Sequence, residues 1–310
     1  MSARDAPPTV TLDRLSKWYG EVMGLNEVTA EFGPGVTGLL GPNGAGKSTL
    51  IKLVCGMLRP SLGRVLVNGE APFNRPRVMR RVGLCPEQDA TYPHASALEV
   101  LTYLTRLHGF GAADARTGAR RALERVGLAD HVGRPVAAFS KGMRQRFKLA
   151  QALAHDPDVI ILDEPLNGLD PPGRREFSDL IRTLGDHGHC VIVSSHVLHE
   201  LESVARRMLV LSFGRILADG TSRELRRELP EFPLTVRIVT QSATELASRA
   251  MALEGVRRVE HVDGGLEILT RSPAEFFDAL SAMVIEDGLE VEAVLPQDED
   301  LEAVFRYLTQ

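Results

Sequence analysis

Short apolar runs separated by turn residues open the chain. Residues 9–12 and 28–32 have the composition of strands, and Gly20 and Gly24 between them read as turn signals, so the N-terminal region is expected to be β-rich. Residues 36–40 form a further apolar, strand-like run, and residues 50–57 a helix-like one. Beyond that point the period lengthens. Leu98, Leu101, Leu104 and Leu107 recur at helical spacing, as do Ala119, Ala122, Leu123 and Val126, which predicts a helical insert over about residues 90–150. Residues 159–162 and 191–194 are then short apolar runs with helical patterns between and after them, the alternation of a parallel sheet. Up to residue 229 the pattern predicts an α/β domain.

Pro230 and Pro233 bracket an expected linker, after which the pattern restarts. Residues 234–240 read as strand, 244–253 as helix, and 256–262 and 266–270 as a hairpin around Asp263, Gly264 and Gly265. A helix over 273–284 and a strand over 289–295 complete a β-α-β-β-α-β order like that of ferredoxin-like domains, with a closing helix over 300–308. Residues 230–310 are therefore expected to form a small α+β accessory domain. It contains no phosphate or metal motif, and both dimer contact and regulation are open to it.

Composition narrows the setting. A chain of 310 residues exceeds the roughly 100 to 200 of a typical single domain, so one large or two unequal domains are expected. At 44% hydrophobic and 25% charged it has the balance of a soluble globular protein, and no apolar stretch approaches the roughly 18 residues a membrane helix needs. The N-terminal residues lack the apolar segment of a secretory signal, and Cys55, Cys85 and Cys190 are odd in number and unclustered, which fits a reducing cytosol. A formal net charge of -5 argues against a large nucleic-acid footprint, so no direct nucleic-acid partner is expected, and the basic run over 75–81 reads as a solvated face.

Chemistry enters at residues 41–49. Gly41, Pro42, Asn43, Gly44, Ala45, Gly46, Lys47, Ser48 and Thr49 make a complete phosphate-binding loop between a strand-like and a helix-like run. Gly41, Gly44 and Gly46 permit a backbone whose N–H groups turn inward as an anion nest at a helix N-terminus. Lys47 adds a mobile positive charge for the β- and γ-phosphates, and the Ser48 hydroxyl is the expected Mg²⁺ ligand. Asp163 ends an apolar run, which puts its carboxylate at the carboxyl edge of a parallel sheet beside that loop, as a second Mg²⁺ partner. Glu164 follows it, placed to deprotonate a water attacking the γ-phosphate. Lys47 and Asp163 lie much further apart than a strand-helix-strand step requires, and the helical insert fills the gap.

The insert ends in Phe139, Ser140, Lys141, Gly142 and Met143, leading into a helix. With this segment in place, the order of motifs over roughly residues 9–228 resembles the ATP-binding cassette ATPases. That resemblance implies a P-loop NTPase core with an N-terminal antiparallel β region and an inserted helical subdomain. It also implies that residues 139–143 match the family's signature, which contacts the γ-phosphate of a nucleotide held by the opposite subunit. Ser140, Gly142 and Met143 would then bind nucleotide across a dimer, either a homodimer or a pair with another cassette. Tyr19 resembles the aromatic that stacks on adenine, with Trp18 at the wrong offset. Asp170, in Asn167-Gly168-Leu169-Asp170, resembles the D-loop residue that couples the two sites, and His196 resembles the switch histidine that contacts the γ-phosphate and supports Glu164.

Three motifs depart from the family pattern. Where Pro-Gln is usual the chain has Cys85-Pro86-Glu87-Gln88, so that the Mg²⁺ role falls to Glu87 or, with a one-residue shift, to Gln88. Lys141 and Met143 replace the usual Gly and Gln of the signature, and Asn167 replaces Ser in the D-loop. A Ser-Lys-Gly-Met signature is similar to that of bacterial ATPases serving drug and polysaccharide-type exporters, a subgroup that often carries a C-terminal extension ending in a segment like residues 301–309. The resemblance implies an ATP-hydrolysing transporter subunit with ATP and Mg²⁺ at its site, on the cytoplasmic face of the membrane beside a separate permease. The alternative is a soluble cassette ATPase acting on ribosomes or DNA, against which stand a single phosphate loop and no sustained heptads. A GTPase lacks support, since no Asn-Lys-x-Asp motif occurs.

Overall fold

The computed structural model describes residues 9–88, 92, 94–228, 234–285 and 287–296. The expected linker at Pro230 and Pro233, the closing helix over 300–308 and the exporter-like segment 301–309 lie outside the described residues. The chain divides into two compact units, Met1–Ser222 and Arg223–Gln310, a seam ahead of the boundary expected at 229.

The first unit begins with β1 (Val10–Tyr19), β2 (Val22–Phe32), β3 (Gly35–Leu40), α1 (Lys47–Val54), β4 (Leu62–Val67), α2 (Pro76–Met79) and β5 (Val82–Cys85). The insert is α3 (Ala97–Leu107), α4 (Ala112–Arg125) and α5 (Lys141–Leu153). β6 (Val159–Asp163), α6 (Pro171–Asp186), β7 (Cys190–Ser195), α7 (Leu198–Glu202), β8 (Arg207–Ser212) and β9 (Arg215–Gly220) follow; α8 (Ser222–Glu228) starts at the seam and from Arg223 on belongs to the second unit.

Two sheets result. β2, β1 and β4 make an antiparallel sheet in that order. The second has the order β5-β6-β7-β3-β8-β9 and is parallel except for β9, which runs antiparallel to β8. Val159, Ile160, Ile161 and Leu162 of β6 are all buried, the unbroken apolar run of a strand covered on both faces. One core joins the sheets: Leu12, Leu25 and Phe32 pack with Leu50, Leu53 and Ile161 around α1. Gly24, read above as a turn, lies inside β2; the turn is at Gly20, whose φ is 61°. Gly24 owes its identity to crowding, because a Cβ there would stand 2.9 Å from Tyr19 Cε2 and 3.2 Å from Thr49 Oγ1.

The insert is anchored by α5. Phe147 is fully buried and meets Phe139 edge to face, with ring centroids 5.9 Å apart. Phe147→Ala is expected to cost about 3–5 kcal/mol, read as a lower urea midpoint for the first unit. A second anchor is the stack of His108, just after α3, on His155, just after α5, with ring centroids 4.0 Å apart. His155 Nε2–H donates to Val82 O at 3.2 Å, tying the pair to β5. Burial, helped by the charge of His108, pushes the His155 imidazole down to about 4, against the weaker opposing pull of the Val82 carbonyl and Asp156. His108 is lowered as well, by burial and by Arg80. A neutral imidazole in the fold and an ordinary one in the unfolded chain mean that proton uptake favours unfolding. Stability is therefore complete above about pH 6.5 and falls as pH drops toward 4, by about 3 kcal/mol for His155. Urea midpoints across that range check this, and His155→Gln should flatten the profile.

The second unit contains β10 (Leu234–Val239), α9 (Ala243–Met251), β11 (Val256–Val262), β12 (Gly265–Thr270), α10 (Pro273–Ile285) and β13 (Ala293–Pro296). Its strands form an antiparallel sheet in the order β11-β12-β10-β13. Val236, Ile238, Leu266 and Ile268 pack with Leu246, Ala250, Phe276 and Leu280 of the helices as a separate core. The edge strand β11 carries Arg257, Arg258, Glu260 and His261 outward, a charged edge that discourages further strand pairing.

Candidate functional site

The phosphate loop leaves the carboxyl end of β3, beside the ends of β7 and β6. Its glycines serve different needs. Gly44 and Gly46 have φ of 84° and 108°, the left-handed region that other residues enter only under strain. At Gly41 the requirement is space, since a Cβ would lie 2.4 Å from Leu211 O. The loop is braced from beneath by Gly214 N donating to Ala45 O at 2.9 Å and by Gly41 N donating to Ser195 O at 3.3 Å. Because Gly46 caps it, α1 begins at Lys47, three residues before the helix read from sequence, and Ser48 sits exposed in its first turn. The first N–H groups of α1 therefore belong to the phosphate loop itself.

Lys47 is buried, and its Nζ donates to Gly41 O and, at 3.5 Å, to Pro42 O. The same ammonium stands 3.5 Å from Glu164 Oε1, and both Glu164 oxygens lie 3.1 Å from His196 Nδ1. Lys47, Glu164 and His196 thus form one contact chain, although they come from three separate elements. Glu164 holds φ at 47°, a costly conformation for a residue with a Cβ. Its N–H is fixed there by Ser194, through the carbonyl at 3.1 Å and the hydroxyl at 3.2 Å. The Ser194 hydroxyl in turn donates to Asp163 Oδ1. Ser194 therefore sets both acidic residues, a role that sequence reading missed; the signal was a serine facing inward at the end of an apolar strand.

Tyr19 lies beside the loop, its hydroxyl 3.5 Å from Thr49 Oγ1 and Lys17 Nζ 5.5 Å from its ring centroid, and the residue is 44% exposed. Alternation along β1 sends the Trp18 side chain to the opposite face, and its main-chain N–H donates to Ser61 Oγ at 3.0 Å. The cysteines take no part in this chemistry. Cys55 and Cys190 are buried thiols pushed up to about 12 by burial, with the Asp163 charge adding to it at Cys55.

Ser140 and Asp170 do not join the Lys47 chain. Among the described residues no hydrogen bond or ion pair links Ser140, Gly142, Met143 or Asp170 to the phosphate loop. Both acidic and hydroxyl groups serve as helix caps: Ser140 Oγ accepts from Met143 N at 3.3 Å at the start of α5, and Asp170 Oδ1 accepts from Gly173 N at 3.2 Å at the start of α6. As an N-cap, Ser140 accepts one bond and keeps its own O–H to donate. Two further side chains on α5 were not anticipated. Gln145 Nε2 donates to Pro165 O at 2.7 Å, and the buried Lys148 donates to Pro86 O at 3.0 Å and Glu87 O at 2.8 Å. A lysine among Phe147, Leu149 and Ala150 was the sign that could have revealed the second.

For Mg²⁺, the donor set is one of hard oxygens: the exposed Ser48 hydroxyl and the partly exposed Asp163 carboxylate at the strand end. That suits an ion that keeps most of its ligands as water and substrate phosphate. Glu87 is exposed, with its carbonyl held by Lys148, and no hydrogen bond links it to Ser48 or Asp163 among the described residues.

A family model described as "ABC transporter" matches residues 25–167. The chain is 35% identical over 309 residues to the daunorubicin resistance ATP-binding protein DrrA3 of Streptomyces coeruleorubidus, covering 98% of this chain and 96% of that one. It is 36% identical over 218 residues to the Nod factor export ATP-binding protein I of Paraburkholderia xenovorans, covering 70% and 72%. Among solved structures, the ATP-binding subunit of an ABC transporter matches with a TM-score of 0.63 at 28% identity, over 71% of this chain and 92% of that one. The Nod factor relative is named for export and the solved structure for an ABC transporter, which disfavours the ribosome or DNA reading. With phosphate loop, acidic strand end and histidine converging on one sheet edge, and with identity sustained over nearly the whole of both chains, this chain belongs to the ABC transporter family as an ATP-binding, ATP-hydrolysing subunit.

Proposed function

We propose that the chain is the ATPase of an exporter of drug-like or similarly amphiphilic compounds, working at the cytoplasmic face of the membrane on a permease encoded separately. The observation that carries the catalytic part is the convergence of Lys47, Glu164 and His196. MgATP is the substrate, with Ser48 and Asp163 as the protein's oxygen donors to the metal and Tyr19 against the adenine. Glu87 or Gln88 completes that oxygen set.

The nucleotide's phosphates enter the nest of residues 43–48, and Lys47 exchanges its carbonyl and Glu164 partners for phosphate oxygens. Glu164 is thereby freed to accept a proton from water as the water oxygen attacks the γ-phosphorus, and the bond to the β-phosphate oxygen breaks to leave ADP and phosphate. His196 holds the Glu164 carboxylate through Nδ1, which leaves Nε2 to face the γ-phosphate. Two copies close head to tail, so that Ser140, Gly142 and Met143 of one meet the nucleotide of the other and Asp170 lies at the seam. Residues 230–310 act as an accessory domain.

Support for transport comes from the drug-resistance and export relatives, together with the fact that no described helix is long and apolar enough to cross a membrane. Affinity purification from detergent-solubilised membranes is expected to recover an integral membrane partner. Recovery of ribosomes without one would overturn the transport reading.

A further inference from the structure

Lys141 stands where the usual family signature has glycine, and the structure gives that side chain a place. Its ammonium lies on the main chain of Gly168: a Cβ built on Gly168 would be 1.7 Å from Lys141 Nζ and 2.5 Å from Cε. Gly168 is doubly constrained, since its φ of 70° also favours glycine. The contact bridges two loops that carry different chemistry. Lys141 is the first residue of α5, directly after the capping Ser140; Gly168 belongs to the turn that starts at Glu164 and ends at Asp170. A second tie, Gln145 Nε2 to Pro165 O, fixes the same helix to the same turn.

The charge at this spot is out of keeping with its surroundings. A helix N-terminus favours acidic residues, yet the first turn of α5 has none and holds Lys141 and Arg144 instead. Arg144 is engaged, with Nη1 donating to Phe139 O at 2.6 Å. Lys141 is exposed and rests on a residue without a side chain, and among the described residues no carboxylate pairs with it. Dipole and ammonium add to a positive surface that an arriving anion would relieve, next to a serine hydroxyl with its O–H free.

The geometry points to Lys141 as a positioning and charge-supplying residue for the nucleotide of the second subunit: Gly168 gives the ammonium a seat from which it adds a cation to the closed site and keeps the α5 N-terminus in step with the Glu164–Asp170 turn. This rests on the head-to-tail dimer proposed above. It makes a local prediction that the dimer alone does not: closure of this chain is driven partly by a charge that signatures with glycine at this position lack.

The test uses the full chain in a Glu164→Gln background, where ATP-bound dimers are expected to accumulate. Sedimentation with MgATP gives the dimer dissociation constant at several salt concentrations, and nucleotide titration of the dilute monomer gives ATP affinity separately. Lys141→Gln is expected to weaken ATP-driven dimerisation about tenfold or more and to flatten its salt dependence, while ATP affinity of the monomer stays the same and Lys141→Arg retains most of the effect. A merely structural strut would not change the salt slope. An unchanged dissociation constant and slope for Lys141→Gln in a dimerising background would overturn this assignment alone. A Glu164→Gln protein that stays monomeric with MgATP would overturn the dimer reading, and this assignment with it.

Discussion

Glu164→Gln is expected to abolish multiple-turnover ATP hydrolysis, lowering kcat by about 10² to 10⁴, while ATP still binds and holds the protein dimeric. The amide is nearly isosteric with the carboxylate and can still meet Lys47 and His196, but it cannot take a proton from water. The loss should therefore fall on kcat and leave nucleotide affinity in place, the pattern of an interaction needed only in the transition state. Steady-state phosphate release and a filter-binding assay for ATP separate the two. Normal turnover in this variant would remove Glu164 from the role of base and leave no other carboxylate in contact with both Lys47 and His196 among the described residues.

Lys47→Ala should act at an earlier step, with loss of detectable ATP binding and so of hydrolysis. It carries a second expectation drawn from burial. Lys47 and Glu164 have side chains only 7% and 8% exposed, and their ammonium and carboxylate are 3.5 Å apart. Removing the cation leaves a buried carboxylate with only His196 beside it, which is expected to destabilise the apoprotein by about 3 kcal/mol. The double variant Lys47→Ala/Glu164→Gln removes the unpaired charge and should recover much of that loss without recovering ATP binding. Urea unfolding of the four proteins forms a cycle that reads the coupling directly. Equal stability of the two Lys47→Ala proteins would show that the carboxylate left without its cation carries no penalty.

These residues were legible because each motif is contiguous and each follows an apolar run. The phosphate loop, the Asp163-Glu164 step and His196 all sit at strand ends, where short-range pattern says which edge they occupy. The alternation of strands and helices around them was equally plain. What pattern could not deliver was set by departures from regular geometry. β1 extends from Val10 to Tyr19, well past the four residues read from sequence, because Arg14 takes φ of 44° and shifts the register between Leu12 and Leu15. That bulge breaks the two-residue period on which strand reading depends. Glu27, with φ of 50°, interrupts β2 in the same manner. Gly24 looked like a turn because glycine is the commonest turn residue, whereas here it makes room for Tyr19 and Thr49. Ser194, Gln145 and Lys148 escaped notice for another reason: their partners are backbone and side-chain groups far along the chain, and no local spacing encodes them.

The last consequence concerns α5. Lys141, Gln145 and Lys148 fall at i, i+4 and i+7, so the three side chains lie along one face. That row meets Gly168, Pro165 and the carbonyls of Pro86 and Glu87 in turn. At 1.5 Å per residue it is about 10 Å long, with Gln145 and Lys148 buried against main-chain carbonyls and Lys141 at its exposed end. Such a helix behaves as a camshaft with followers on two loops: it cannot rotate or slide under one without moving the other.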